Sequence, residues 1–133
     1  FELINNKVGK DRQTFLVHGG VDTEDREKAR RIAETTHDSI IVASYGTFST
    51  GINIRNLHNV VFASPSKSKI RNLQSIGRVL RKGDHKTKAV LYDIADDISK
   101  GSKRNYTLNH LIERVKIYNE ENFNYEFIDV RIR

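Results

Sequence analysis

Ser39-Ile40-Ile41-Val42-Ala43 is a continuous apolar run, and at Ser44 it gives way to a stretch rich in hydroxyl groups and glycine. A run without the alternation of a half-exposed strand is typical of a parallel strand that helices cover on both faces. Comparable runs occur at 14–17, 59–63 and 89–94. The segments between these runs have apolar residues at helical spacing. Strands that alternate with helices predict right-handed crossovers. The predicted fold class is therefore α/β, a three-layer parallel sheet with helices on both faces.

Helices are predicted between and after these strands. Asp22 is the predicted N-cap of the first, because acidic residues fill the following turn, where the helix dipole favours them. A second helix is predicted over 68–82, before Gly83, and a third after a loop at 99–104. The apolar residues at helical spacing are Ala29, Ile32 and Ala33 in the first helix and Leu108, Leu111, Ile112, Val115 and Tyr118 in the third. Residues 123–132 alternate with one change of phase, which predicts a terminal strand.

The composition is that of one globular domain. Hydrophobic residues make up 37% and charged residues 30% of the 133 residues, enough to form a core without disulfides or metals. The absence of cysteine excludes disulfide scaffolds, thiol catalysis and cysteine-bearing zinc sites in this chain. The five histidines have no metal-site spacing, so no metal ligand is predicted. No apolar run approaches the roughly 20 residues of a membrane span and no signal peptide opens the chain, so we expect a cytoplasmic protein.

The chain has features of a piece of a longer protein. It contains no methionine, and residues 1–6 have the character of a helix already under way. We therefore expect residues 1–133 to be a single domain within a longer chain.

Positive charge is concentrated in the segment 67–88. This segment contains eight Lys and Arg residues and one acidic residue, although the net charge of the whole chain is only +6. A basic segment on a nearly neutral body indicates a polyanion partner such as nucleic acid. Lys67, Lys69 and Arg71 are the predicted contacts. The alternative is a solvated helix face on which lysine serves solubility.

Within that segment, residues 74–81 have the pattern Q-x-x-G-R-x-x-R. On a helix, Gln74, Arg78 and Arg81 share one narrow polar stripe, and the apolar residues face the other side. Two forked guanidinium groups one turn apart suit the oxygen atoms of a phosphate chain. The alternative is a pair of solvent-facing arginines on an amphipathic helix.

The hydroxyl-rich stretch that follows the first-quoted strand is predicted to be a loop, 44–54. Its backbone N–H groups and its Ser and Thr hydroxyls offer a phosphate-contacting surface that does not read sequence. The alternative is a loop with ordinary turn chemistry. In parallel sheets, ligands bind at the carboxyl ends of the strands, which is where this loop and His18-Gly19-Gly20 begin.

Several nucleotide-binding and catalytic motifs are absent from the chain. A G-x-x-x-x-G-K-[ST] loop does not occur, and neither does the G-x-G-x-x-G pattern of dinucleotide enzymes. Spacing identifies no Ser/His/Asp set. Taken alone, the chain lacks the parts of an enzyme.

In order and spacing, the 42–54 and 74–81 elements resemble motifs V and VI of superfamily-two helicases and translocases. The resemblance covers nearly the whole chain, since His18-Gly19 matches the family's strand-end pair and Arg26 lies where a helix-borne arginine is common. Gly51-Ile52-Asn53 is more similar to the Snf2-like branch than to the DEAD-box branch. The resemblance implies the second RecA-like domain of such a motor.

The resemblance also implies roles for individual residues. Arg78 and Arg81 would be arginine fingers that reach the γ-phosphate of ATP, supported by Gln74. Gly51 and Asn53 would lie beside the nucleotide. The residues that would touch the sugar-phosphate backbone of one strand are His18, Gly19, Ser44 and Thr47.

The implied function is the second motor domain of an ATP-dependent DNA helicase that acts on branched DNA in recombination and repair. ATP and Mg²⁺ would be held mainly by the N-terminal RecA-like domain of the same protein, so the isolated domain is predicted to be inactive. One alternative is a non-catalytic nucleic-acid-binding module with a RecA-like fold. A second, a small-molecule α/β enzyme, is disfavoured by the missing nucleotide-binding glycines.

Overall fold

The structure is a computed structural model that describes residues 1–49, 54, 57–63, 89–103 and 105–132. The described elements form two compact units, the first with α1 to α3 and the second with β3, α4 and β4 from Leu91 onward. The helix predicted over 68–82 lies outside the described residues. In chain order the elements are α1 (Glu2–Val8), β1 (Gln13–Val17), α2 (Thr23–Thr35), β2 (Ser39–Ala43), α3 (Tyr45–Ser49), β3 (Asn59–Phe62), β4 (Val90–Asp93) and α4 (Tyr106–Glu120).

Two parallel strands form the frame of the first unit. β1 pairs with β2 in a register that sets Gln13 opposite Ser39 and Val17 opposite Ala43. Both strands lie where the apolar runs predict them. Val17 is fully buried, whereas every residue of β2 keeps partial exposure. The parallel pairing brings the carboxyl ends of both strands to the same edge.

Helix α2 follows β1 and buries the small residues that its spacing predicts. Ala29 and Ala33 are buried, one turn apart. Asp22 stands at the N-cap position as predicted, but its side chain makes no capping hydrogen bond. Favourable charge at this helix end comes instead from Glu24 and Asp25 in the first turn.

The prediction of a loop immediately after β2 is wrong for residues 45–49. These residues form the short helix α3, directly after Ser44. The hydroxyls and Gly46 are turn-favouring residues, but serine is also a preferred residue at the start of a helix. One helical turn also brings the side chains of residues three apart onto the same face, and Ser44 and Thr47 meet in this way.

The second unit contains the hydrogen-bonded strands β3 and β4. The Val90 N–H donates to the His58 carbonyl and the Ile94 N–H donates to the Phe62 carbonyl. Since both partners advance by four residues between these bonds, β3 and β4 run in the same direction. The runs predicted at 59–63 and 89–94 are therefore parallel strands, each slightly shorter than its apolar run.

Helix α4 matches the predicted third helix but buries a charge. Arg114 is 1% exposed, and its Nε and Nη2 donate to the two carboxylate oxygens of Asp93 at 2.7 and 2.8 Å. The Tyr118 hydroxyl donates to Asp93 Oδ2 at 2.6 Å. Burial and this bond raise the pKa of Tyr118 far above its ordinary value. We call these three residues the Asp93 cluster; it joins the end of β4 to α4.

The terminal strand predicted over 123–132 does not form. These residues are neither helix nor strand, and 124–132 make no backbone–backbone hydrogen bond with any residue in the described part of the chain. Ile128, Val130 and Ile132 are 74%, 78% and 94% exposed. Alternation describes the two faces a strand would have, but a strand also needs a hydrogen-bonding neighbour, and no described segment supplies one.

Candidate nucleic-acid interface

Two turns begin side by side at the carboxyl edge of the β1–β2 pair. Val17 lies opposite Ala43, and the Ser44 N–H continues the ladder by donating to the Val17 carbonyl at 3.1 Å. His18 and Ser44 are therefore the first residues beyond two adjacent parallel strands. The fold brings together the predicted contact residues that are described, and we call His18, Gly19, Ser44 and Thr47 the carboxyl-edge surface.

The first turn holds the His18 ring in a defined orientation. The Val21 N–H donates to the His18 carbonyl at 3.0 Å, and the Gly20 N–H donates to His18 Nδ1 at 3.0 Å. A backbone amide can only donate, so Nδ1 acts as the acceptor and the neutral ring carries its proton on Nε2. The exposed ring thus has an N–H donor available at Nε2.

The two glycines of this turn differ in what surrounds them. A Cβ at Gly20 would lie 3.0 Å from His18 Cε1, so a side chain there would crowd the folded-back ring. A Cβ at Gly19 would meet no described atom within 4 Å. Gly19 therefore leaves open space beside its backbone, through which an extended ligand can approach closely.

The second turn carries two hydroxyl groups in contact. Ser44 Oγ and Thr47 Oγ1 are 2.9 Å apart, close enough for a hydrogen bond in which either atom can donate. Ser44 is exposed, whereas Thr47 is only 6% exposed. The contact therefore joins an exposed residue to a buried one.

The carboxyl-edge surface has the chemistry of a phosphate-contacting surface. It presents an imidazole N–H, a serine hydroxyl and open backbone at Gly19, and none of its four residues is acidic. Neutral donors of this kind bind the oxygen atoms of a phosphate chain without reading base sequence.

The other predicted site residues fall outside the described residues. They are the predicted fingers and their support, Arg78, Arg81 and Gln74, the predicted nucleotide contacts Gly51 and Asn53, and the basic contacts Lys67, Lys69 and Arg71. Among the residues that are described, no group of three or more His, Asp or Glu residues could hold a metal ion. Nor does the described part contain a helix long and apolar enough to cross a membrane.

The buried charge of the Asp93 cluster was not predicted from the sequence. Arg114 lies three residues after Leu111 and four before Tyr118, on the same stripe of α4 as the predicted apolar residues. An arginine on an apolar stripe, facing a strand that ends in Asp93, is a pattern that indicates a buried ion pair. Three donors of this cluster, Arg114 Nε and Nη2 and the Tyr118 hydroxyl, point to Asp93 rather than to solvent, so the cluster is structural.

Comparison with known proteins identifies the family. Residues 2–83 match the family described as the helicase conserved C-terminal domain, which is more than half of the chain. The chain therefore belongs to the helicase C-terminal domain family. The resemblance to superfamily-two helicases that motifs V and VI carry is confirmed.

Two relatives give the family context. The chain is 47% identical over 135 residues to the ATP-dependent DNA helicase uvsW of Enterobacteria phage T4, covering 94% of this chain and 26% of that protein. It is 28% identical over 124 residues to L396 of Acanthamoeba polyphaga mimivirus, which is named for ATP-dependent RNA helicase activity, covering 92% of this chain and 22% of that protein. The chain spans about a quarter of the length of these relatives.

A solved structure confirms the fold. The C-terminal part of the Fun30 ATPase domain superposes with a TM-score of 0.57 at 18% sequence identity, covering 94% of this chain and 45% of that one. At this identity the likeness concerns the fold alone. It confirms the α/β class predicted from the alternation of apolar runs and helical segments.

Proposed function

We propose that residues 1–133 are the second motor domain of a longer ATP-dependent DNA helicase. Membership of the helicase C-terminal domain family supports this, as does the 47% identity to a protein named as an ATP-dependent DNA helicase. The substrate is branched DNA of the kind met in recombination and repair, and the protein acts in the cytoplasm. The N-terminal RecA-like domain of the same protein is its partner.

One observation supports strand binding above the others. The Ser44 N–H bonds the Val17 carbonyl at 3.1 Å, and this sets the His18 turn beside the Ser44 hydroxyl on one edge. His18, Gly19 and Ser44 contact the sugar-phosphate backbone of one DNA strand. The basic residues Lys67, Lys69 and Arg71 contribute sequence-independent affinity for phosphates, which falls steeply as salt rises.

ATP is hydrolysed between the two motor domains rather than by this domain alone. Arg78 and Arg81 stabilise the charge that develops on the γ-phosphate, Gln74 supports them, and Gly51 and Asn53 lie beside the nucleotide. ATP and Mg²⁺ are held mainly by the N-terminal domain. The chain has no G-x-x-x-x-G-K-[ST] loop, in agreement with this division, and the isolated domain does not hydrolyse ATP.

The deciding experiment is steady-state ATP hydrolysis by the full-length protein carrying Arg81→Ala. We expect turnover to fall by about 10³-fold or more, as loss of an arginine finger does in related phosphoryl transfer. Arg81→Lys restores little, because an ammonium group cannot reproduce the planar fork of the guanidinium. DNA affinity stays close to that of the parent, because a finger faces the nucleotide rather than the strand.

Arg12→Ala is the matched control. Arg12 pairs with Asp38 at 3.1 Å, and both side chains are at least half exposed, so its loss should leave turnover unchanged. Turnover within threefold of the parent in Arg81→Ala would remove Arg81 from the mechanism. A full-length protein that binds DNA without any turnover would instead be a non-catalytic nucleic-acid-binding module.

A further inference from the structure

The two hydroxyls of the carboxyl-edge surface are not equivalent. Thr47 is 6% exposed and Ser44 is exposed, yet their oxygen atoms are 2.9 Å apart. A ligand on this surface can reach Ser44 Oγ directly, but the buried Thr47 side chain is covered. The resemblance to helicases implies that both residues touch the strand, and their different burial separates their roles.

The hydrogen-bonding capacity of a hydroxyl limits how this pair can meet a phosphate. Each hydroxyl has one proton to donate and two lone pairs to accept with. A phosphate oxygen is only an acceptor, so Ser44 must direct its own proton outward to bind it. If Ser44 donated to Thr47 instead, it would have no proton left for the phosphate.

Thr47 removes this conflict when it acts as the donor. Its hydroxyl proton then satisfies a lone pair of Ser44 Oγ, and the Ser44 proton is free to point out of the protein. An anion at the end of such a chain polarises both bonds in the same sense, which strengthens each of them. The 2.9 Å contact also holds the Ser44 side chain in one rotamer.

We propose that Thr47 is a positioning residue: its buried hydroxyl donates to Ser44 Oγ and so orients the Ser44 hydroxyl proton toward a phosphate oxygen of the bound strand. The proposal rests on the strand-binding role given above. It replaces direct contact by Thr47 with an effect that passes entirely through Ser44. No proton leaves either residue, since only the direction of the two hydrogen bonds is fixed.

The test is a cycle of variants in the full-length protein, measured as affinity for a fluorescent single-stranded oligonucleotide at one fixed salt concentration. Ser44→Ala should weaken binding by roughly five- to tenfold, the size of one lost hydrogen bond. Thr47→Val keeps the shape of the side chain but removes the hydroxyl, and should weaken binding to a similar extent. The double variant should bind no more weakly than Ser44→Ala alone, because the Thr47 effect needs Ser44.

Thr47→Ser distinguishes positioning from packing. It keeps the hydroxyl and loses a methyl group, so it should bind within about twofold of the parent if the hydrogen bond is what counts. If Thr47 serves packing, Thr47→Ser is the weaker variant and Thr47→Val is neutral, which overturns the proposal. This comparison holds even if Thr47→Val lowers the melting temperature, which is measured for every variant.

Thr14→Val is the matched control. Its hydroxyl bonds Asn5 Oδ1 in the first half of β1, away from the carboxyl edge, so the same change should leave DNA affinity unchanged. If Ser44→Ala has no effect, both the strand contact and the positioning role are wrong. If Ser44→Ala weakens binding while Thr47→Val does not, or if the two effects add, the strand contact stands and the positioning role is wrong.

Discussion

The carboxyl-edge surface and the Asp93 cluster both lie where parallel strands end, and both are polar. In the cluster, Asp93 accepts from Arg114 Nε and Nη2 and from the Tyr118 hydroxyl, and the arginine is 1% exposed. In the surface, His18 and Ser44 are exposed residues. A polar residue at a strand end can therefore bind a ligand only where its hydrogen-bond donors are not already paired within the fold.

The largest effect on stability should come from breaking the Asp93 cluster. Arg114→Met leaves the Asp93 carboxylate, whose side chain is only 10% exposed, without its cation. Removing one partner of a buried ion pair costs about 3–5 kcal/mol, because a buried charge is left uncompensated. Urea denaturation measures this loss in the free energy of unfolding. Arg12→Ala, which breaks an exposed ion pair, should cost under about 1 kcal/mol.

The contrast between the Asp93 cluster and the carboxyl-edge surface fails if Arg114→Met lowers the free energy of unfolding by no more than Arg12→Ala does. The cluster would then be dispensable for folding, and its polar groups would be candidates for a ligand. A folded Arg114→Met protein should otherwise bind DNA like the parent, since the cluster presents none of its paired donors to solvent.

Tyr118→Phe tests the Asp93 cluster through the pH dependence of the free energy of unfolding. Burial first, and the bond to Asp93 second, raise the pKa of Tyr118 in the folded state above its unfolded value of about 10. A raised pKa contributes stability that is fully present below the unfolded pKa and is lost as pH rises beyond it. Above pH ~10, the free energy of unfolding of the parent should therefore fall by about 1.4 kcal/mol per pH unit because of this residue.

The measurement is the difference between parent and variant in urea denaturation at pH 8 and at pH 11. Tyr118→Phe should be less stable at pH 8 by about 1 kcal/mol, the net value of one hydrogen bond, and this gap should narrow or reverse at pH 11. Tyr106→Phe, at a side chain that is 83% exposed, provides the baseline. An equal gap at both pH values would show that the phenol does not titrate differently in the folded chain.

Sequence patterns predicted the elements whose signal is local and missed what depends on a partner. The run 39–43 predicted β2 with its bounds, and helical spacing predicted α2 and α4. Arg114 was missed because its partner lies 21 residues away, and spacing along a helix does not identify what the helix packs against. For residues 45–49, the turn-favouring residue types predicted a loop. The structure instead has one helical turn, which brings Ser44 and Thr47 into contact.

The smallest expected effect concerns the terminal residues 123–132, which resemble a strand in sequence but not in structure. Val130→Asp with Ile132→Asp should change the free energy of unfolding by less than about 0.5 kcal/mol, since these side chains are 78% and 94% exposed and lose no burial. Phe62→Ala is the contrasting control in β3: it empties a site that is 6% exposed and should cost about 3–5 kcal/mol. A loss above about 1.5 kcal/mol in the double aspartate variant would mean that at least one of these two side chains is covered in solution. The alternation of residues 123–132 would then indicate a paired strand. Like the Asp93 cluster, this segment would be buried and paired within the fold.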